Sequence, residues 1–178
     1  LQGFDPAYDG VGIPHYFARY RFDDFDFTVG DFYEQFGSGI LLRTWEDKFL
    51  GVDNSIRGFR VKYSPTSGIQ ITGLVGKQRN FWEQGPGIIR GLDGNLTLND
   101  LLPFMAESQT RVSFGGSFVS KYQADDDPLY FLPENVGAWA YRFNVNSGGF
   151  NLESEYSTKI NDPSADNNFI FKPGNALN

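Results

Sequence analysis

The sequence predicts an all-β, antiparallel fold, and three observations predict it. Apolar and polar residues alternate with a period of two in several stretches, among them Tyr16 to Phe22 and Phe150 to Tyr156. Glycine is abundant, at 21 of 178 residues, and aromatic residues make up 17% of the chain, a composition that suits strands and turns better than helices. Turn-forming clusters such as Pro65-Thr66-Ser67-Gly68 and Asn146-Ser147-Gly148-Gly149 separate the alternating runs.

Residues 1–14 are rich in Gly, Pro and Asp and read as an irregular lead-in, with the strand domain spanning 15–178. Tyr16, Ala18, Tyr20 and Phe22 share one strand face, while Phe17, Arg19 and Arg21 share the other. Asp23-Asp24 is the expected tight turn, after which Phe25, Phe27 and Val29 alternate with Asp26 and Thr28. The run GDFYEQFGSGILLRTWED, residues 30–47, reads as one long curved strand, with Gly37 and Gly39 marking a bulge or bend. Residues 48–56 read as a loop and 56–77 as a hairpin, with Phe59, Val61 and Tyr63 opposite Arg60 and Lys62. The glycine-rich stretch 78–95 reads mostly as loop, and 99–107 as a short helix capped by Asn99 or Asp100. Strands are expected again at 111–122, 136–143 and 150–156, with an acidic loop at Asp125-Asp126-Asp127.

Composition excludes several functions. A formal charge of -7 is the wrong sign for a phosphate-backbone binder, so no nucleic-acid partner is expected. The absence of cysteine removes disulfides and thiolate metal sites. A single histidine, His15, leaves no histidine pair for a zinc centre or a conventional hydrolase triad and reads as structural or surface-exposed. No apolar run is long enough for a spanning helix, and the N-terminus has no signal-peptide pattern. Leu1, without an initiator methionine, reads as the start of a processed chain or a fragment. A strand that is apolar on one face and polar on the other suits a water-soluble sheet and a membrane barrel equally well.

The blocks Gly30 to Arg43, Gly51 to Lys62 and Gly91 to Asp100 stand within GDFYEQFGSGILLRTWEDKFLGVDNSIRGFRVKYSP, ITGLVGKQRNFW and GIIRGLDGNLTLND. Together with FKPGNAL near the end, they resemble a family of uncharacterised outer-membrane proteins of Bacteroidota, DUF6029. The resemblance covers roughly residues 15–178 and implies a larger β-barrel of which this chain is the N-terminal portion. It brings no characterised active site. The expected fold is therefore an antiparallel meander forming a partial or complete outer-membrane-type barrel.

Candidate chemistry follows from that expectation. Arg19, Arg21, Asp31, Glu34, Arg43, Arg60 and Lys62 form the expected polar network of a barrel lumen, where opposite charges on neighbouring strands hold the wet face together. Trp45, Phe81, Trp82 and Trp139, near expected strand ends or loops, are candidates for interfacial aromatics or for a sugar-binding platform. Paired carboxylates such as Asp31 with Glu34, or Glu153 with Glu155, are sequence neighbours on one strand, which rarely supply the separation across a sugar site that retaining or inverting chemistry requires. Asp93-Gly94-Asn95 reads as turn chemistry, and neither it nor Asp125 to Asp127 follows a calcium-loop spacing. GPGIIRG lacks the lysine and helix of a phosphate loop.

The expected protein is a non-enzymatic outer-membrane component of envelope transport or assembly. It needs no cofactor or metal, and its partners are the lipid of the outer membrane and other envelope proteins. The alternative is a soluble β-sandwich, periplasmic or extracellular, that binds glycan. A hydrolase with its catalytic residues elsewhere is the third possibility.

Overall fold

The computed structural model describes residues 11–47, 49–80, 82–125, 132–162 and 172–178. Its strands are β1 (Phe17–Phe22), β2 (Phe25–Phe32), β3 (Glu46–Asp47), β4 (Val52–Asp53), β5 (Ile56–Thr66), β6 (Ile69–Asn80), β7 (Glu83–Thr97), β8 (Thr110–Tyr122), β9 (Asn135–Ser147), β10 (Phe150–Asp162) and β11 (Lys172–Leu177). Nine of them form one antiparallel sheet in the order β1-β2-β5-β6-β7-β8-β9-β10-β11, and β3 pairs only with β4. This is the all-β meander that the alternation predicts. No pairing joins β1 to β11, so the sheet is open and a closed barrel is not formed by these strands.

Local sequence explains most of the turns. Phe22 pairs with Phe25 across a two-residue connection, in which Asp23 takes φ 46°. Aspartate is among the few non-glycine residues that tolerate this left-handed conformation. Gly148, at φ 56°, does the same between β9 and β10.

Three expectations are corrected. Residues 30–47 are not one strand: β2 ends at Phe32, and residues 33–45 leave the sheet as an excursion. Gly37 (φ 54°) and Gly39 (φ 94°) turn the chain back, Gln35 bridges Arg43, and the Phe36 amide donates to the Leu42 carbonyl at 3.0 Å. Two left-handed glycines only two residues apart make a reversal, not a bend in a continuing strand. Residues 78–95 are not loop, because β7 runs from Glu83 to Thr97 and accommodates its glycines within the ladder. The helix expected over 99–107 shrinks to α1 (Leu98–Leu101) and a 3-10 turn at Pro103–Met105, since Pro103 cannot continue an α-helix. Asn99 is not the cap. Its side-chain amide donates to the Met105 and Thr110 carbonyls, and its oxygen accepts from the Val112 amide, which ties the crossover to β8.

The two sheet faces differ in an unusual direction. One cross-strand row reads Lys62-Thr72-Asp93-Ser117-Ala140-Ser157, and all but Lys62 are buried. On the opposite face another row reads Phe27-Val61-Gly73-Leu92-Phe118-Trp139. That face exposes Val29, Phe59, Ile71, Leu92, Phe114, Tyr141, Phe143, Leu152 and Tyr156 to solvent. Among the described residues, thirteen polar side chains are buried against seven apolar ones, the reverse of a protein that hides an oily core from water.

The excursion explains what buries the polar face. Phe36, 1% exposed, and Leu42 pack on Phe32, Ile56, Leu74 and Ile89, with Val119 alongside. The same segment reaches β10, where the Ser38 amide donates to Glu155 Oε2 at 2.8 Å. A segment that touches strands from β5 to β10 requires the sheet to curl around it, so the polar face is concave. Gly91 provides the seat: a Cβ there would stand 2.8 Å from the Phe36 ring.

Candidate functional site

The concave face carries two charged clusters, one on each flank of the excursion. The first uses residues expected from sequence. Arg60 on β5 donates from Nη1 to Glu34 Oε2 at 3.0 Å and from Nη2 to Thr28 Oγ1 at 3.0 Å, while Lys62 Nζ lies 2.8 Å from the same Glu34 oxygen. Parity places Thr28, Arg60 and Lys62 on one face, and Glu34 reaches them because it lies at the root of the excursion. The Arg60 Nε has no hydrogen-bond partner among the described residues, although Arg60 is buried. Arg19 and Arg21 share this face at the sheet edge. Both bond Asp26, with Arg19 Nε at 2.7 Å and Arg21 Nε at 3.2 Å.

Asp31 is separated from this cluster. The step from Gly30 to Asp31 flips the face, so Asp31 pairs with Arg57 on the convex side, accepting from Nε at 2.8 Å and Nη2 at 3.0 Å. The Tyr16 amide also donates to Asp31, and the Tyr16 ring covers the Arg57 guanidinium at 4.4 Å. Arg43 joins neither group; it is exposed and lies over the Trp45 ring at 5.4 Å. The single expected network therefore divides into three groups, Glu34 with Arg60 and Lys62, Arg19 and Arg21 with Asp26, and Asp31 with Arg57, with Arg43 outside all of them.

The second cluster was not legible in the sequence. Arg142 on β9 donates from Nη2 to Asp93 Oδ1 at 2.5 Å and to Asn95 Oδ1 at 3.0 Å, both on β7. Its Nη1 donates to Ser117 Oγ at 2.5 Å, and Ser117 donates to Asp93 at 2.6 Å. The guanidinium crosses β8 over Gly115, where a Cβ would stand 2.5 Å from Arg142 Nε. Asp93 and Asn95 lie inside β7 and not in a turn, and the Asp93 carboxylate is occupied by Arg142, which corrects the turn reading of this triplet. Glu155 faces Arg142 across the ladder. One of its oxygens bonds Ser38, and the other, Oε1, is buried with no hydrogen-bond partner among the described residues. The one signal available in the sequence was an arginine alone between Tyr141 and Phe143, a residue that must find a buried acid when its face is covered.

The excursion is anchored at its root. Tyr33 donates to Asp53 Oδ1 at 3.1 Å, Arg79 Nη1 lies 2.8 Å from Asp53 Oδ2, and His15 stacks on Tyr33 at 5.5 Å. Burial, reinforced by the Asp53 charge, raises the Tyr33 hydroxyl well above the usual phenol range. The same His15 ring makes an edge contact with Phe17.

The aromatic candidates are dispersed. Trp139 lies inside β9 on the convex face, tilted against Phe118 at 5.9 Å. Trp45 belongs to the excursion, and Trp82 sits in the turn between β6 and β7 near Arg79. Phe81, Asp126 and Asp127 lie outside the described residues. Around Gly94 and Gly116, where an added Cβ meets no close neighbour, the convex face holds a groove of about 580 Å³ walled by Ile71, Leu92, Phe114, Phe118 and Tyr141. Among the described residues, no three His, Asp or Glu side chains converge to hold a metal.

Two carboxylates make the fold acid-sensitive. The Asp26 carboxyl is held down at about 2, chiefly by its hydrogen bond to Arg19, with partial burial opposing and the charges of Arg19 and Arg21 assisting. For Asp31, burial pushes the carboxyl up, but the Arg57 fork and the Tyr16 amide outweigh it and the net shift is downward. A carboxylate whose folded pKa lies below its unfolded value of about 4 stabilises the fold above that pH and loses the contribution as pH falls. The unfolding midpoint should therefore drop as pH falls from about 4 toward 2. Thermal scans on Asp31→Asn should show a lower midpoint at neutral pH and a shallower acid fall. An acid profile identical to the parent's would show that Asp31 contributes nothing to it.

The family model described as "Family of unknown function (DUF6029)" matches residues 1–178, and the chain belongs to that family. The description assigns neither an organism nor a cellular location. No curated protein and no solved structure matches the chain.

Proposed function

We propose that this DUF6029 chain forms part of the wall of an outer-membrane-type β-barrel, with a non-enzymatic role in envelope transport or assembly. The observation that carries the reading is the inversion of the sheet. Polar and charged side chains line the concave face, and large apolar ones stand exposed on the convex face. Left in water, such a face would cost about 25 cal/mol for each Å² of apolar surface, and so continuous a patch marks a surface that meets lipid or protein.

The band has an edge. On the convex face, the row Asp31-Arg57-Lys77, with Arg90 one step further in, carries charge at one end of the strands. Beyond it, β9 runs apolar from Trp139 to Val145 on that face, six residue steps or roughly 20 Å at a strand rise of about 3.3 Å. That span approaches the apolar belt of about 25 Å found on membrane barrels. Topology adds a condition. Strands alternate in direction, so β1 and β11, first and last of nine, run parallel. Closure with only antiparallel pairs takes an odd number of further strands between these two edges.

The open sheet favours a second reading, a soluble extracytoplasmic domain that binds glycan on its aromatic face. A sandwich needs a second sheet to cover the apolar one, and among the described residues the other sheet is only the two-residue ladder β3-β4. The convex groove is walled almost wholly by apolar groups, which suits an acyl chain better than a hydroxyl-rich sugar.

Fluorescence separates the readings. In a Trp45→Phe/Trp82→Phe variant, Trp139 reports alone. Reconstituted with phospholipid brominated on its acyl chains, it should lose more than half of its emission. A chain that is monodisperse without detergent, with Trp139 unquenched by such vesicles, would favour the soluble domain and end the barrel proposal.

A further inference from the structure

We propose that the open edge of β1 docks an extended strand of a different polypeptide, antiparallel to β1, with acidic side chains toward the concave face and apolar ones toward the convex face. The inference stands on the edge itself and not on the membrane placement proposed above.

The hydrogen bonds of the first hairpin show which backbone groups face outward. The Asp31 amide donates to the Tyr16 carbonyl at 2.8 Å, and the register continues as Ala18-Val29, Tyr20-Phe27 and Phe22-Phe25. Bonded and non-bonded pairs alternate along an antiparallel ladder. The even-numbered residues of β1 therefore bond β2, and the amides and carbonyls of Phe17, Arg19 and Arg21 point away from the sheet. Among the described residues, no strand pairs with β1 on that side, and all six of its residues are exposed. The far edge of the sheet differs. Glu155 and Asn178 exchange both backbone bonds, so the residue position of Pro173 faces the open side of β11. Proline there removes a donor, a common protection of sheet edges. β1 has no proline, and what restricts its partners is charge.

Arg19 and Arg21 stand on the concave side of β1, opposite Thr28 and Asp26. They share the Asp26 carboxylate, which Arg21 meets only through Nε at 3.2 Å. Next to them, Arg60 and Lys62 share Glu34. Four cations thus meet two carboxylates beside this edge, on a chain of net charge -7. Among the described residues, the turn acids Asp23 and Asp24 form no ion pair with either arginine.

β2 shows what kind of strand satisfies this surface. Asp26 lies opposite Arg21, while Phe25, Phe27 and Val29 lie opposite Phe22, Tyr20 and Ala18. A strand on the open side with acids two residues apart sets one across from each arginine, and opposite charges so placed stabilise a ladder. Its apolar residues then extend the convex face beside Tyr20 and Phe22. Main-chain bonds supply affinity and alternate side chains supply selectivity, as in strand addition generally. A second copy of this chain does not fit. Pairing β1 with itself through the outward groups sets one arginine row against another, and like charges directly opposite destabilise a ladder.

Fluorescence anisotropy with the full chain, in whichever medium keeps it monodisperse, tests the edge. The probe is a short labelled peptide that alternates valine with glutamate. Saturable binding is expected, at least tenfold tighter than that of a counterpart alternating valine with lysine. Arg21→Glu should erase this preference, and the bond of Arg19 to Asp26 keeps the hairpin closed. N-methylated peptides give a test that needs no variant. Methyl groups on the glutamate amides, which face β1, should abolish binding, whereas methyl groups on the valine amides should leave it intact. Lack of saturable binding, equal binding of the two peptides, an unchanged preference in Arg21→Glu or equal effects of the two methylation patterns would each overturn the proposal. A parent dimer that the glutamate peptide disperses in sedimentation would seat a second copy on the edge and overturn it too. Peptide binding by a chain whose Trp139 is unquenched by brominated lipid keeps the edge and ends the barrel reading, and quenching without peptide binding does the reverse.

Discussion

Arg142→Met should destabilise the fold by about 3–5 kcal/mol, the usual consequence of removing one partner of a buried ion pair. Asp93 and Arg142 have side chains only 8% and 7% exposed, and the guanidinium gives Asp93 its counter-charge. Methionine keeps much of the apolar stem but leaves a carboxylate in a covered face with only Ser117 and Asn95 as donors. The loss is electrostatic, so it should be partly reversible. Asp93→Asn in the Arg142→Met background should recover about 1–3 kcal/mol, the coupling expected of residues in direct contact. Denaturant titrations of the two single variants and the double variant measure the cycle. Strict additivity would mean that the pair does not act as a unit.

Gly37→Val should cost about as much by a different route. At φ 54°, Gly37 occupies the left-handed region, where a β-branched residue is strained by about 1–3 kcal/mol. Its Cβ would also stand 2.6 Å from Arg142 Cδ and Nη1 and 2.7 Å from Glu155 Oε2. Overpacking of this kind adds about 1–3 kcal/mol, for a total of about 4 kcal/mol. Gly148→Val is the control, because Gly148 has φ 56° but open space around its Cβ position. Equal destabilisation of the two variants would show that the excursion does not press on Arg142 and Glu155. A much larger loss at Gly37 would support the packed concave face.

The two experiments probe a site of which the sequence revealed only half. Arg60, Lys62 and Glu34 were recognisable because basic residues alternate with aromatics along β5 and an acid lies nearby. Arg142, Asp93, Ser117 and Glu155 come from four strands, and their union depends on a register and on one missing side chain at Gly115. Asp31 was misplaced for the opposite reason. Proximity in sequence suggested a network with Glu34, but a single step along the strand reverses the face. The 30–47 segment failed as a strand because its two glycines have positive φ, which composition does not distinguish from glycines such as Gly91 and Gly94 that stay in the ladder.

From the sequence alone came the all-β class, the antiparallel order, most hairpins and the division of each strand into an apolar and a polar face. Those follow from a period of two and from turn residues, both local properties of the chain. Which face curls inward was left to the tertiary structure, because alternation is symmetric between the two sides of a flat sheet. The symmetry is broken by the 33–45 excursion, which packs where Gly91 admits Phe36 and where Glu155 receives the Ser38 amide. Only then does the polar face become buried and the aromatic face exposed.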